Sequence, residues 1–141
     1  MQTGFNETRG QFSPDGRWIV YTSDESGRDE VYVAPFPGPG GKLRVSTAGG
    51  TFPRWRRDGK EIFYLAPDNK LMAAEVKGHA PALAVGTISA LFEIHPAILY
   101  SNGYPYDVTS DGQRFLVNMA VEQKEPVPIT LVQNWTAGLK K

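Results

Sequence analysis

The sequence predicts an all-β protein built from repeated antiparallel sheets. Three times, a bulky apolar residue lies three positions before an Asp-Gly pair, and an apolar run follows within four positions of the Asp. The copies span residues 12–21, 55–64 and 108–117, and their Asp residues are 43 and 53 positions apart. Repeats of this length that contain strands rather than helices are typical of propeller blades. We expect a β-propeller fragment of three four-stranded antiparallel blades, half of a six-bladed ring.

Length and composition fit one domain that forms part of a larger assembly. The chain has 141 residues, 40% of them hydrophobic, and three blades are fewer than the usual four to eight of a closed ring. Fifteen basic and fifteen acidic residues cancel, which argues against a nucleic-acid partner. There is no Cys, so disulfides and thiol chemistry are excluded.

The first blade is expected at about residues 10–48. Ser13-Pro14-Asp15-Gly16 suits a type I turn, because Pro presets φ at the second position and Asp bonds nearby backbone. β-branched and aromatic residues between Gly- and Pro-rich turns then predict the strands. They are placed at 11–12, 17–22, 29–36 and 42–46.

The second blade, at about 51–93, repeats this order. Its first three strands are expected at 52–56, 61–66 and 71–76. A loop over 77–86, which contains Gly, Ala and Pro, precedes an outer strand at 87–92.

The third blade, at about 104–136, has only three predicted strands, at 106–109, 114–121 and 129–135. An open outer edge is a liability that natural sheets avoid. Residues 2–5 of a partner chain are expected to supply the missing outer strand. The sequence thus predicts a homo-oligomer, a dimer of three-bladed halves.

Asp-Gly pairs recur at equivalent repeat positions, which favours structural turns over acid–base or metal chemistry. The predicted turn residues are Asp15, Gly16, Asp58, Gly59, Asp111 and Gly112. The acidic loop 24–29 lacks the ligand spacing of a calcium loop, and neither His79 nor His95 has metal ligands at suitable spacing. We expect no catalytic residue, no metal and no cofactor.

The best candidate for a functional surface is the mouth of the central channel, which the inner strands of a propeller line. Arg and Tyr side chains there can hold a carboxylate or a peptide end through forked hydrogen bonds and amphipathic contact. The alternative is that they only pack and solvate the channel. The candidate ligand-binding residues are Arg9, Gln11, Phe52, Arg54, Tyr104 and Tyr106.

Three tryptophans, Trp18, Trp55 and Trp135, each lie in a predicted strand. The core of a propeller forms where neighbouring sheets meet face to face. We therefore expect these side chains to lie between blades.

The amino-acid sequences of the repeats resemble those of a known family. Phe12-Ser13-Pro14-Asp15-Gly16, followed by Ile-Val-Tyr and Glu-Val-Tyr-Val, is similar to the TolB-type propeller repeat. Residues 26–28, 53–59, 111–118 and 134–135 resemble the C-terminal propeller of bacterial membrane-anchored serine/threonine protein kinases, a group abundant in acidobacteria. That resemblance implies a sensor or interaction domain on the periplasmic or extracellular side, with no direct membrane contact by this fragment. The kinase motifs themselves are absent from the sequence.

The expected function is non-catalytic recognition of a protein, a peptide or a small ligand by a module that self-associates to complete a ring. One alternative is a purely structural or assembly propeller without a ligand. Another is an accessory propeller of a peptidase-like enzyme, which a hydrolase domain in the same gene would favour.

Overall fold

A computed structural model describes residues 4–79, 82–97, 103–119 and 129–132. Every regular element in these ranges is a β-strand, so they hold no helix of membrane-spanning length. The all-β prediction is confirmed. The strands are β1 (Glu7–Phe12), β2 (Trp18–Ser23), β3 (Glu30–Pro35), β4 (Leu43–Arg44), β5 (Thr51–Trp55), β6 (Glu61–Leu65), β7 (Lys70–His79), β8 (Ala82–Glu93), β9 (Tyr106–Val108), β10 (Phe115–Asn118) and β11 (Ile129–Val132).

These strands form three antiparallel sheets in chain order. Sheet 1 has the order β1-β2-β3-β4, and sheet 2 has the order β5-β6-β7-β8. Sheet 3 contains β9, β10 and β11, with β10 in the middle. Each sheet is thus a meander whose first strand in the chain lies at one edge.

The segment predicted as a loop at 77–86 is mostly a hairpin, so that prediction was wrong. β7 and β8 remain paired out to Gly78↔Leu83 and His79↔Ala82. Gly78 has a φ of 91°, and a Cβ there would lie 2.5 Å from the carbonyl oxygen of Ala82. The Gly therefore permits a close strand approach, where the sequence suggested a break.

Other boundaries also differ from the prediction. The inner strand of sheet 1 begins at Glu7 rather than at residue 11, and its outer strand shrinks to Leu43–Arg44. Of the segment 2–5, expected to form a strand on a partner chain, Gly4 and Phe5 form a bend in the single chain. Residues 2 and 3 lie outside the described ranges, as do residues 133–136.

The described residues form three buried clusters. Two are layers on either side of sheet 2, and the third, which contains Tyr21, Tyr32 and Ala34, lies on the face of sheet 1 that points away from sheet 2. Trp18 and Trp55 are both 7% exposed and lie in the layer between sheets 1 and 2, as predicted. Phe63 of sheet 2 and Phe115 of sheet 3 meet edge to face at 5.1 Å in the other layer. Trp135 lies outside the described residues. This stacking brings the inner strands β1, β5 and β9 side by side.

Candidate functional site

The six residues predicted at the channel mouth come together along the inner strands. Gln11 on β1 links sheets 1 and 2, because the amide of Trp55 donates to its Oε1 at 2.8 Å. Arg54 on β5 occupies the same position relative to its Asp-Gly pair, four residues before the Asp. Its Nε donates to the carbonyl oxygen of Tyr106 at 3.2 Å and so links sheets 2 and 3.

Two arginines stack on aromatic rings in this cluster. The guanidinium carbon of Arg9 lies 4.1 Å from the ring centroid of Phe52, and that of Arg54 lies 4.1 Å from the centroid of Tyr104. The rings of Phe52 and Tyr104 meet edge to face at 5.8 Å, and those of Tyr104 and Tyr106 at 6.4 Å. We call these five side chains, together with Gln11, the inner-strand cluster. Stacking on rings holds each guanidinium plane in one orientation.

The two tyrosine hydroxyls of the cluster bond to backbone carbonyls. Tyr106 donates to the carbonyl of Phe52 at 2.7 Å, and burial raises the pKa of Tyr106 well above its usual value. The hydroxyl of Tyr104 lies 3.1 Å from the carbonyl oxygens of both Arg9 and Pro53. Burial also raises the pKa of Tyr104, while the charges of Arg54 and Arg9 oppose the shift. Both rings therefore remain neutral near pH 7 and hold the inner strands together.

An unusual backbone conformation supports the cluster. Arg9 and Phe52 have φ values of 57° and 53°, in the left-handed region that favours Gly. Both residues lie six positions before the Asp of their repeat, and both fall where the inner strand shifts its pairing register. The two bulges direct equivalent side chains of neighbouring repeats toward one another, so that cation and ring meet.

The arginines keep hydrogen-bonding capacity for a ligand. Arg9 donates from Nη1 to the hydroxyl of Thr8 at 3.1 Å, and no carboxylate in the described ranges forms an ion pair with it. Arg54 contacts Asp107 at a loose 3.5 Å, and the Asp107 side chain is 62% exposed. An incoming carboxylate can thus bind either guanidinium without displacing a buried partner.

Two shallow cavities flank the cluster. One, of about 250 Å³, is lined in part by Gln11, Arg54, Arg57 and Asp107. The other, of about 230 Å³, is lined in part by Arg9 and Phe52. A larger cavity of about 420 Å³ lies away from the cluster, between the turns that contain Asp15 and Asp58.

The carboxylates of the Asp-Gly pairs bond to their own turns. Asp15 Oδ1 accepts from the Ser13 hydroxyl at 2.6 Å and from the amide of Arg17 at 3.1 Å. Asp111 Oδ1 likewise accepts from the Thr109 hydroxyl at 2.5 Å and from the amide of Gln113 at 3.0 Å. These side-chain hydrogen bonds, followed by the backbone ones, lower the pKa of both Asp residues.

The middle turn is similar. Asp58 Oδ1 accepts from the amide of Lys60 at 3.0 Å. Gly16, Gly59 and Gly112 have φ values of 70°, 74° and 70°, which explains why Gly follows each Asp. Within the described part of the chain, no three acidic or His side chains are grouped closely enough to hold a metal ion.

Sequence reasoning assigned no role to one buried charge, Glu30. Its side chain is fully buried at the start of β3, where it accepts from Arg28 Nε at 2.8 Å, from the hydroxyl of Ser46 and from the amide of Gly49 at 3.0 Å. Ser46 in turn accepts from the amide of Val31 at 2.9 Å. The carboxylate thereby fastens the segment that crosses from sheet 1 to sheet 2. The signal available in the sequence was a lone Glu next to the apolar run Val-Tyr-Val.

Three solved structures are similar in fold to this chain. TolB from Acinetobacter baumannii matches at a TM-score of 0.64 and 16% identity, over 94% of this chain and 30% of its own. An oligogalacturonate lyase from Vibrio parahaemolyticus matches at 0.57 and 16%, over 83% of this chain and 31% of its own. A protein provisionally assigned as a 6-phosphogluconolactonase from Bacteroides uniformis matches at 0.55 and 16%, over 94% and 42%. No family model and no curated protein matches the sequence.

These comparisons concern the fold alone, because the identities are low. The chain spans between 30% and 42% of the length of the structures that it matches. Two of those structures carry enzyme names and TolB does not, so the likeness is compatible with more than one activity. Antiparallel all-β sheets and these neighbours together show that the chain has a TolB-like fold.

Proposed function

We propose that this chain is a non-catalytic β-propeller module that recognises a ligand bearing a carboxylate, such as a peptide end or a small acid. In this proposal the three sheets are three blades, and the chain self-associates to complete a ring. The ligand binds at the inner-strand cluster, on the channel side. We further propose, from the sequence resemblance to kinase-associated propellers alone, that the module acts on the envelope side of a receptor-like kinase.

Ligand recognition is supported by Arg9 and Phe52, which both have a left-handed φ and whose side chains stack on each other. Left-handed φ at a residue other than Gly costs on the order of 1–3 kcal/mol and is concentrated at functional sites. The chain bears this conformational cost at both Arg9 and Phe52. The resulting backbone places the Arg9 guanidinium over the Phe52 ring. A purely structural bulge would be served as well by Gly at either position.

The tyrosine hydroxyls favour the second candidate, a structural propeller without a ligand. The hydroxyls of Tyr104 and Tyr106 both have backbone partners and therefore hold the inner strands of one chain together. The arginines distinguish the candidates, since a structural role uses their stacking and the bond from Arg54 to Tyr106, whereas ligand binding uses their other guanidinium donors.

A peptide titration tests the proposal. The probe is a mixture of N-acetylated tripeptides with free carboxyl ends, followed by amide NMR, and the same mixture with amidated ends serves as the ligand control. We expect the free acids, and not the amides, to shift the resonances of β1, β5 and β9.

The matched variants are Arg54→Gln and Arg114→Gln. Arg54 belongs to the inner-strand cluster, whereas Arg114 is an exposed arginine that does not line either cavity beside the cluster. A charge-assisted hydrogen bond contributes about 1.5–3 kcal/mol, so Arg54→Gln should weaken binding about 10- to 100-fold. Arg114→Gln should change it less than about threefold. Equal shifts from acids and amides would refute carboxylate recognition, and no shift from either would favour the structural candidate.

A further inference from the structure

The cavity of about 230 Å³ beside Arg9 is lined by two residues of opposite charge. The cation is Arg9, whose guanidinium is stacked on the Phe52 ring and donates to the hydroxyl of Thr8. The anion is Asp29, which is exposed and directly precedes β3. Within the described ranges, these two residues form no ion pair with each other or with any third residue. The cavity therefore offers one positive and one negative charge to a ligand.

A neutral polar residue, Asn69, also lines this cavity. It lies in the turn between β6 and β7 with a φ of 65°, in the left-handed region that Asn adopts more readily than most residues. Its backbone is held on two sides, because its amide donates to the carbonyl of Ala66 at 3.0 Å and its carbonyl accepts from the amide of Ile94 at 2.7 Å. A side-chain amide can both donate and accept, so Asn69 can bond to either end of a charged ligand.

The rest of the lining is mainly apolar. Phe52 and Leu65 are buried side chains of β5 and β6, and Ala66 and Pro67 follow them in the turn. A cavity of about 150 Å³ with an apolar lining holds benzene. A volume of about 230 Å³ therefore has room for one amino acid of about the size of leucine. An apolar lining with a few polar groups is typical of sites for small molecules.

The two loops that carry Asp29 and Asn69 are fixed against each other. The carbonyl of Asp29 accepts from the amide of Gly50 at 2.9 Å. Gly49 has a φ of 94°, and a Cβ there would lie 2.6 Å from Cγ of Pro67. The segment that crosses from sheet 1 to sheet 2 thus packs directly on the turn between β6 and β7. Because these walls are already ordered, a ligand has less conformational entropy to remove when it binds.

We propose that this cavity binds a free amino acid with an apolar side chain, in its zwitterionic form. The carboxylate of the ligand bonds to the Arg9 guanidinium, its ammonium bonds to the Asp29 carboxylate, and its side chain packs on the apolar lining. A simple anion would satisfy Arg9 but would be repelled by Asp29, so the pair of charges favours a ligand that carries both. This inference rests on the carboxylate recognition in the proposed function and names the ligand class on the Arg9 side of the inner-strand cluster.

The test is a titration of the full chain with L-leucine up to about 10 mM, followed by amide NMR. Two analogues each remove one charge without adding bulk: isocaproate is leucine without its ammonium group, and isoamylamine is leucine without its carboxylate. We expect leucine to shift the amide resonances of Phe52 and Asn69. Each analogue should bind about 10- to 100-fold more weakly, because one charge-assisted hydrogen bond is lost. This comparison uses the wild-type chain, so it does not depend on whether a variant folds.

Asp29→Asn and Asp68→Asn are matched variants, because each removes one negative charge with little change of shape. Asp68 is exposed in the turn that contains Asn69, but it pairs with Lys70 and does not line the cavity. Asp29→Asn should weaken leucine binding about 10- to 100-fold and should not weaken isocaproate binding. Asp68→Asn should change leucine binding less than about threefold.

Equal binding of leucine and isocaproate would overturn the inference, since the ammonium would then have no partner, whereas carboxylate recognition would stand. Equal effects of the two Asp variants would also refute it, because net charge rather than Asp29 would explain the loss. The absence of any shift with leucine would refute it as well. In that case the titration with N-acetylated tripeptides, which carry no ammonium at their blocked ends, decides separately whether the proposed carboxylate recognition stands.

Discussion

Substitution of Glu30 tests what stabilises the segment that connects sheet 1 to sheet 2. Glu30→Ala removes the only carboxylate from a fully buried site that has three donors, Arg28 Nε, the Ser46 hydroxyl and the Gly49 amide. Arg28 is 57% exposed and can turn toward water, but the hydroxyl and the amide are buried. Each buried donor without a partner costs about 1–3 kcal/mol. Adding the lost packing, we expect Glu30→Ala to lower the free energy of unfolding by about 3–5 kcal/mol.

Glu30→Gln is the matched control. Its carbonyl oxygen can replace the oxygen that accepts from Ser46 and Gly49, while its amide group replaces the one facing exposed Arg28. Only the partly solvated Arg28 contact is lost, so we expect a cost of about 1–2 kcal/mol.

Urea unfolding at pH 7 measures both variants. With an m-value of about 2 kcal/mol/M, the Ala variant should lose about 1.5–2.5 M in midpoint, and the Gln variant less than about 1 M. A loss below about 1 kcal/mol for Glu30→Ala, at an unchanged m-value, would refute the assigned role of the carboxylate. Equal losses in the two variants would show that the negative charge and its contact with Arg28, which both variants remove, determine the stability, rather than side-chain packing or the hydrogen bonds from Ser46 and Gly49.

Two further predictions concern the core. Trp55→Ala should cost about 3–5 kcal/mol of unfolding free energy, because the ring is buried between sheets 1 and 2 and its Nε1 donates to the carbonyl of Gln11 at 3.3 Å. An almost unchanged urea midpoint would contradict the burial of the ring between these sheets. Burial, above all, raises the pKa of both Tyr21 and Tyr64 from 10.0 to about 12. Between these values the native chain binds more protons than the unfolded chain, so stability should be intact below pH 10 and fall as pH rises toward 12. Melting temperatures at pH 9 and pH 11 measure this fall, which the double variant Tyr21→Phe/Tyr64→Phe should reduce; equal temperatures in the wild type would exclude it.

The antiparallel sheets and the six residues of the inner-strand cluster could be predicted from the sequence for the same reason. Each depends on an offset from an Asp-Gly turn, and turns leave a local signal in Gly, Pro and Asp. The sequence alone therefore places Arg54 and Tyr106 on neighbouring inner strands. The contact between Arg54 and the ring of Tyr104 follows from that placement.

Two features escaped prediction because their causes are not local. The left-handed φ of Arg9 and Phe52 occurs where β1 and β5 shift their pairing register against β2 and β6. The residue types at these two positions do not predict it. The extended hairpin of β7 and β8 was missed because Gly78 and Pro81 are common in loops, whereas the pairing of Val76 with Val85 depends on the partner strand.

Sheet 2 packs against a neighbour on both faces, and this has a consequence for how the chain unfolds. In a linear array of repeats, stability is the sum of the intrinsic stability of each repeat and of its contacts with adjacent repeats. Among the described residues, sheets 1 and 3 each have one face-to-face contact, and both are with sheet 2. Damage to sheet 1 can therefore leave sheets 2 and 3 folded together, whereas damage to sheet 2 removes the packed neighbour of both others. We expect a substitution in the middle repeat to affect all three sheets.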